Sequence, residues 1–280
     1  MNFLRDADDR VRSFWVILVF VVTSGLAIFL VSAVTAIAGL DWYGPLDSPR
    51  VIFATLPTLL GGLAGTAFTW KLFKEPTGLD EPFRVRQFLL GGALGAVALT
   101  VSCVVPALLG VTTLSLSDRP VLLAGLTQLI TLAPAGLGEE LLLRGIGFQA
   151  LRRGVGDVAA VVLSSALFGL LHITNPHASW LAALLITLVG LWFGAAMVRS
   201  GSVWLPMGLH VAWNFFEGFV FGQPVSGNVA GSSLFVATFP AEPGFWSGGA
   251  FGPEAAGWTG VVLVIALGLT LRFVRRRSLT

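Results

Sequence analysis

Residues 121–151 read VLLAGLTQLITLAPAGLGEELLLRGIGFQAL, and inside that apolar run stand Glu139, Glu140 and Arg144. The run is long enough for a membrane helix, which needs about 20 residues to cross roughly 30 Å of hydrocarbon. A charged side chain at the centre of such a helix costs on the order of 2.5–3.5 kcal/mol even on insertion scales. Three of them between positions 139 and 144 therefore imply partners, a water-filled cavity or chemistry.

The rest of the chain has the same character. Of its 280 residues 55% are hydrophobic and 11% charged, and its mean hydropathy is +0.85. These values exclude a soluble globular domain and describe an integral membrane protein. The apolar runs suit helices rather than the short alternating strands of a membrane barrel. The expectation is an all-α, polytopic membrane helix bundle of about eight transmembrane helices, over roughly 14–38, 51–72, 88–111, 121–151, 157–173, 178–198, 203–221 and 258–274. Short connections make 1–280 a single membrane-embedded domain. The segment 223–257 departs from this: it is rich in Gly, Ser, Pro and Ala, with Glu242 and Glu254 its only charges, and reads as an extracytoplasmic loop folded over the outer end of the bundle.

Topology follows the basic residues, because cytoplasmic flanks are enriched in Lys and Arg. Placing the N-terminus inside puts Arg5, Arg10, Arg12, Lys71, Lys74, Arg84, Arg86, Arg152, Arg153, Arg199, Arg272, Arg275, Arg276 and Arg277 on the cytoplasmic side and leaves Arg50 and Arg119 outside. Both termini are then cytoplasmic, in a multi-pass protein of the cell membrane. The sequence pI near 9.2 reflects these anchors, so no nucleic-acid partner is expected. The first apolar run is too long for a signal h-region of roughly 7–15 residues and reads as a retained helix. Cys103, the single cysteine, has no intramolecular partner and reads as a small buried apolar side chain.

The chemistry sits in the second half. Glu140 and Arg144 are i and i+4 with the acid N-terminal, the favourable order for an ion pair. Glu139 lies about 100° around the helix from Glu140 and faces another surface. The chain reverses near Arg152–Gly156, with Glu139 about 15 residues before that turn and His172 about 17 after it. At about 1.5 Å per residue the two stand at similar depth on antiparallel neighbours. His210 and Asn214 share one helical face, and Glu217 extends that stripe towards the outer end of its helix, within reach of water, its role left open by the sequence. Phe168 precedes His172 by one turn and packs against the imidazole. His177 falls in a short outer loop and is solvated. Asp157 reads as an N-cap.

Two chemistries are open to this set. Glu139 and His172 can share a water with the carboxylate as general base, while His210 and Asn214 donate to the oxyanion of an attacked carbonyl. Alternatively Glu139, His172 and His210 make a His-His-carboxylate zinc set with one open position.

At these residues the chain resembles the CPBP family, the membrane-embedded CAAX prenyl endopeptidases and their relatives linked to bacteriocin processing or immunity. The motifs are Glu139-Glu140…Arg144, Phe168…His172 and His210…Asn214, in family order on three spans. The resemblance covers about 122–221, the catalytic core it implies. It implies an eight-helix intramembrane protease in which Glu139 and His172 activate water, His210 and Asn214 stabilise the oxyanion, and Glu140, Arg144 and Phe168 support them. The substrate is then a membrane-associated protein or peptide, of CAAX type and prenylated in the eukaryotic members. Such proteins have been described both as metalloproteases and as glutamate proteases. The competing reading is a non-catalytic membrane interaction or immunity protein that keeps the polar cluster for binding. A transporter using the buried charges as a relay is the third.

Overall fold

The computed structural model describes residues 11–40, 44–79, 83–118, 122–239 and 245–274. Helices α1 (Ser13–Ile37), α2 (Ile52–Phe73) and α3 (Val85–Leu108) account for the first three apolar runs. A short strand β1 (Thr113–Leu116) precedes α4 (Leu122–Arg144), and α5 (Ile146–Val155), α6 (Asp157–Leu171), α7 (Trp180–Ser200) and α8 (Trp204–Phe215) follow. After a π-helical turn, Phe216–Val220, strand β2 (Phe235–Thr238) leads to α9 (Gly257–Phe273). The protein is an all-α multi-pass membrane bundle. Among the described residues, five helices are long and apolar enough to cross a membrane, in the segments Ser13–Ile37, Pro49–Phe73, Val85–Leu108, Asp157–Thr174 and Trp180–Ser200. The apolar α9 is shorter.

Burial separates the lipid-facing helices from the central one. On α1, Val21, Val22, Phe29 and Val34 are exposed, as a bilayer-facing surface requires. Conversely α7 buries most of its length, with Trp192, Phe193, Ala196 and Met197 almost fully enclosed. Association between membrane helices gains nothing from excluding water, so it depends on close packing through small residues. The α3–α8 contact is built that way: a Cβ at Gly208 would come within 2.0 Å of the Phe88 carbonyl oxygen, and one at Gly95 within 2.4 Å of that of Leu209.

One expected span is not continuous. The run 121–151 breaks at Gly145, which separates α4 from α5. A Cβ there would lie 2.3 Å from the Leu141 carbonyl oxygen, so glycine permits a kink that other residues would obstruct. The 23 residues of α4 already cover about 34 Å at 1.5 Å per residue, so α5 is not needed to complete the crossing. Instead α5 continues along α1, Gly147 beside Phe20 and Gly154 beside Ser13.

The two ends of the bundle differ in charge. At one end Arg152 donates to Asp157 at 2.8 Å, Arg153 pairs with Glu75 and donates to the Val11 carbonyl, and Arg199 donates to the Val274 carbonyl at 2.7 Å. Asp157 is therefore the first residue of α6 and an ion-pair partner, not its N-cap; Gly156 holds that position, at φ +85°. Lys71, Lys74, Arg84, Arg86 and Arg272 flank the same end. At the other end stands Arg50. Arg5, Arg10, Arg119, Arg275, Arg276, Arg277 and Glu242 lie outside the described residues.

This second end carries structure that the helical pattern does not announce. Strands β1 and β2 pair antiparallel, Thr113 opposite Thr238 and Leu116 opposite Phe235. The described part of 223–257 is stitched to the bundle: Leu46 N donates to the Val229 carbonyl at 2.9 Å, Ser232 N to Asp47 at 2.8 Å, and Asn175 to the Ser226 carbonyl at 3.2 Å.

Candidate active site

Helix α4 delivers Glu139 through a stretch that is unusual for a helix, with Pro134 inside it and glycines at 136 and 138. Both glycines serve close approach. A Cβ at Gly138 would stand 2.5 Å from the backbone nitrogen of Leu59 on α2, and one at Gly136 would stand 3.2 Å from the His210 ring. Small residues thus let α2 and α8 close on α4 directly beside the carboxylates.

Glu140 and Arg144 are fully buried and form the expected pair at 3.2 Å. The same Glu140 oxygen lies 3.0 Å from Nδ1 of His210. Arg144 spends a second nitrogen on the Gly190 carbonyl of α7, at 3.1 Å, and its guanidinium sits 4.9 Å from the Phe168 ring centroid. Four helices, α4, α6, α7 and α8, are tied together through this one pair. Glu140 Oε2 and Arg144 Nε stay buried without a partner, so these bonds offset only part of the cost of taking the two charges out of water.

His172 caps the end of α6. Its Nδ1 is 2.8 Å from the Phe168 carbonyl oxygen, four residues back. A carbonyl only accepts, so Nδ1 carries the proton, and in the neutral ring Nε2 presents a lone pair. The Phe168 ring meets the imidazole edge-on at 4.6 Å between centroids, fixing its plane. Phe168 also approaches the His210 ring, at 5.9 Å.

Both histidines aim Nε2 at Glu139. The distances to its Oε2 are 4.0 Å from His172 and 3.8 Å from His210. These separations exceed a direct hydrogen bond and suit a bridging water. Glu139 Oε2 is itself buried with no hydrogen-bond partner, whereas its side chain remains 28% exposed overall. The opening is a cavity of about 580 Å³, lined by Glu139, Phe168, His172, His210 and Asn214 together. Every residue expected to act directly on substrate thus faces one space. Glu140 and Arg144 stand behind it.

Residues 121–216 match the family model for the Rce1-like type II CAAX prenyl endopeptidases. The segment is similar to that family. The match spans all three motifs, and the family it describes is one of membrane-embedded CAAX-type endopeptidases. No curated protein matches the chain.

The zinc expectation can be tested against the donors of the Rce1-like segment. Donors about 2.0–2.1 Å from a tetrahedral zinc stand roughly 3.4 Å apart. Glu139 stands further than this from both histidines, and among the described residues no three His, Cys, Asp or Glu side chains are placed to hold a metal ion. The residues as placed do not fit the metal, and no step below is routed through one.

Outside the motifs the cavity gains residues that the sequence did not single out. Glu254, from the segment between β2 and α9, lines it while accepting hydrogen bonds from Trp213 Nε1 at 3.1 Å and from the Ser226 hydroxyl. Its place in a glycine-rich loop gave no signal of this; only tertiary folding brings position 254 over α8. Glu217 differs from expectation in the other direction. It is completely buried, with neither carboxylate oxygen hydrogen-bonded, because Gly252 and the loop behind it close over the π-helical turn. His177 is exposed as expected, at φ +58°, and its loop forms part of the cavity mouth. Cys103 is free and buried.

Proposed function

We propose that the protein is an intramembrane endopeptidase in which Glu139 and His172 activate water without a metal. The observation that carries this reading is the buried, unpartnered Oε2 of Glu139, faced by Nε2 of two histidines at 3.8 and 4.0 Å on the wall of a cavity shared with Asn214.

A water between Glu139 and His172 donates one proton to the carboxylate and the other to the Nε2 lone pair. Its own lone pair is then directed at the carbonyl of a peptide bond in the cavity. Glu139 takes the proton as the new C–O bond forms, and returns it to the amide nitrogen as the C–N bond breaks. Negative charge develops on the carbonyl oxygen meanwhile. In its doubly protonated form His210 keeps Nδ1–H on Glu140 and offers Nε2–H to that oxygen, and the Asn214 amide supplies a second donor. Glu140 and Arg144 hold His210 in place rather than touching substrate.

The basic end of the bundle is the cytoplasmic end in this reading, with both termini on the cytoplasmic side of the cell membrane. The substrate is a membrane-associated protein or peptide, of which a prenylated CAAX-type peptide is one class. The test is cleavage of a fluorogenic prenylated CAAX-type peptide by the purified protein in nanodiscs. The wild type is expected to cleave and Glu139→Ala and His172→Ala to lose activity. Equal cleavage by Glu139→Ala would overturn the assignment. If Glu139→Ala retained both every assayed cleavage and the cellular phenotype, the binding-protein reading would replace it.

A further inference from the structure

The catalytic cavity has a direction. Its mouth is formed by residues 44–46 before α2, 175–177 between α6 and α7, and 225–229 after α8. All three segments lie at the end opposite Arg152, Arg153, Arg199 and Arg272. No residue of 11–13, 73–79, 152–157 or 199–204, the turns of the basic end, lines the cavity.

That end is blocked behind the catalytic residues by the Glu140–Arg144 pair and its contacts. Beneath them lie Phe148, Met197 and Val203, all nearly fully buried in one apolar cluster. A peptide approaching from the basic face meets packed side chains.

We infer that the cavity is loaded from the extracytoplasmic face, and that its substrate is an extended peptide segment presented on that side of the membrane. The inference rests on the protease reading for its substrate and on the distribution of basic residues for its side.

The mouth suits such a segment. Asn175, His177, Ser226 and Asn228 give it polar groups, while Leu46, Leu132, Val189 and Val225 line apolar wall. Its volume of about 580 Å³ falls within the range, about 300–1,000 Å³, of sites that enclose a drug-sized ligand. A peptide arriving from this side brings backbone N–H and C=O groups that need partners once water is left behind, and the rim offers them.

The rim is also a braced frame. Leu46 N is bonded to the Val229 carbonyl, Asn175 to the Ser226 carbonyl, and Gly227 N to the Phe251 carbonyl at 2.7 Å. These bonds join all three mouth segments into one frame around the opening.

The test uses two cysteine variants of the full chain. Val229→Cys stands at the mouth, where Val229 is 65% exposed, and Val155→Cys at the basic end, where Val155 is 50% exposed. Cys103, 2% exposed, is the background. A membrane-impermeant maleimide on intact cells is expected to label Val229→Cys, and Val155→Cys only after permeabilisation. In nanodiscs, a polymer-linked maleimide on Val229→Cys is expected to slow cleavage of the fluorogenic peptide at least 10-fold, while the same label on Val155→Cys leaves it within 2-fold of the unlabelled protein. Labelling of Val155→Cys alone on intact cells overturns the inference, and so does unimpaired, Glu139-dependent cleavage after the mouth is labelled. Outside labelling of Val229→Cys combined with cleavage that survives Glu139→Ala overturns the protease reading and leaves the side of access standing.

Discussion

Oε1 of Glu140 lies 3.0 Å from Nδ1 of His210, at the far edge of the ring from the Nε2 that faces Glu139. The two adjacent glutamates therefore act on opposite edges of one imidazole. Glu140 fixes its orientation and Glu139 shares its reactive side. Replacing Glu140 by Gln keeps an acceptor near Nδ1 but removes the charge that supports a protonated ring. We expect kcat to fall about 100-fold, the order of losing one oxyanion donor, with KM changing little. Glu139→Gln removes the proposed base and is expected to cost about 10³-fold or more in kcat. Steady-state kinetics on the fluorogenic peptide separate the two; equal losses would place both acids in one role.

The Glu140–Arg144 pair also predicts stability. Arg144→Met leaves a carboxylate buried with only a histidine for partner, which costs on the order of 3–5 kcal/mol. The double variant Glu140→Gln, Arg144→Met removes both charges and is expected to recover at least half of the lost thermal stability, although not activity. Thermal unfolding in detergent reads this directly. A double variant less stable than Arg144→Met would show that the pair is not what links the helices.

Much of this site is legible in the sequence because it obeys local rules. The pair at 140 and 144 follows from helical periodicity, and the meeting of Glu139 with His172 follows from counting residues either side of one turn. Phe168 beside His172 is one helical turn away and needs no tertiary information. What escapes that reading depends on distant or subtle contacts. The β1–β2 pairing joins positions 113 and 238, and Glu254 reaches Trp213 across 41 residues. The kink at Gly145 sits in a run whose hydropathy is continuous through it. Glu217 looks solvated from its place near a helix end, and is enclosed only because the loop around Gly252 returns over it.

Gly138 is expected to tolerate no larger side chain. Its Cβ would meet Leu59 backbone rather than a mobile side chain, so α2 and α4 would have to separate. Gly138→Val should cost about 1–3 kcal/mol as an overpacked contact. Because Glu139 is the next residue, kcat should fall as well. Thermal unfolding and kinetics measured on the same preparation test the coupling; unchanged kinetics with lowered stability would separate the contact from the site.

Glu254 should act on binding more than on chemistry. It lines the cavity through its bonds to Trp213 and Ser226, and the Glu139–histidine contacts do not include it. Glu254→Ala leaves a buried indole N–H unpaired, at a cost of about 1–3 kcal/mol. We expect KM to rise several-fold and kcat to stay within about 3-fold. A kcat loss comparable to that of Glu139→Gln would make Glu254 part of the chemistry.

Metal removal tests the water-activation reading at its weakest point, since the same three side chains can be drawn as a zinc set. With Glu139 Oε2 at 3.8 and 4.0 Å from the two Nε2 atoms, a zinc would need both gaps to shrink to roughly 3.4 Å. Metal-free hydrolysis needs no such contraction, because a water spans those distances as they stand. Protein purified in chelator and checked by elemental analysis is therefore expected to keep its rate, and added zinc to leave it unchanged or lower it by engaging the histidines. A rate that disappears with chelator and returns with one equivalent of zinc would transfer water activation from Glu139 to a metal and make the observed side-chain spacing that of the empty site.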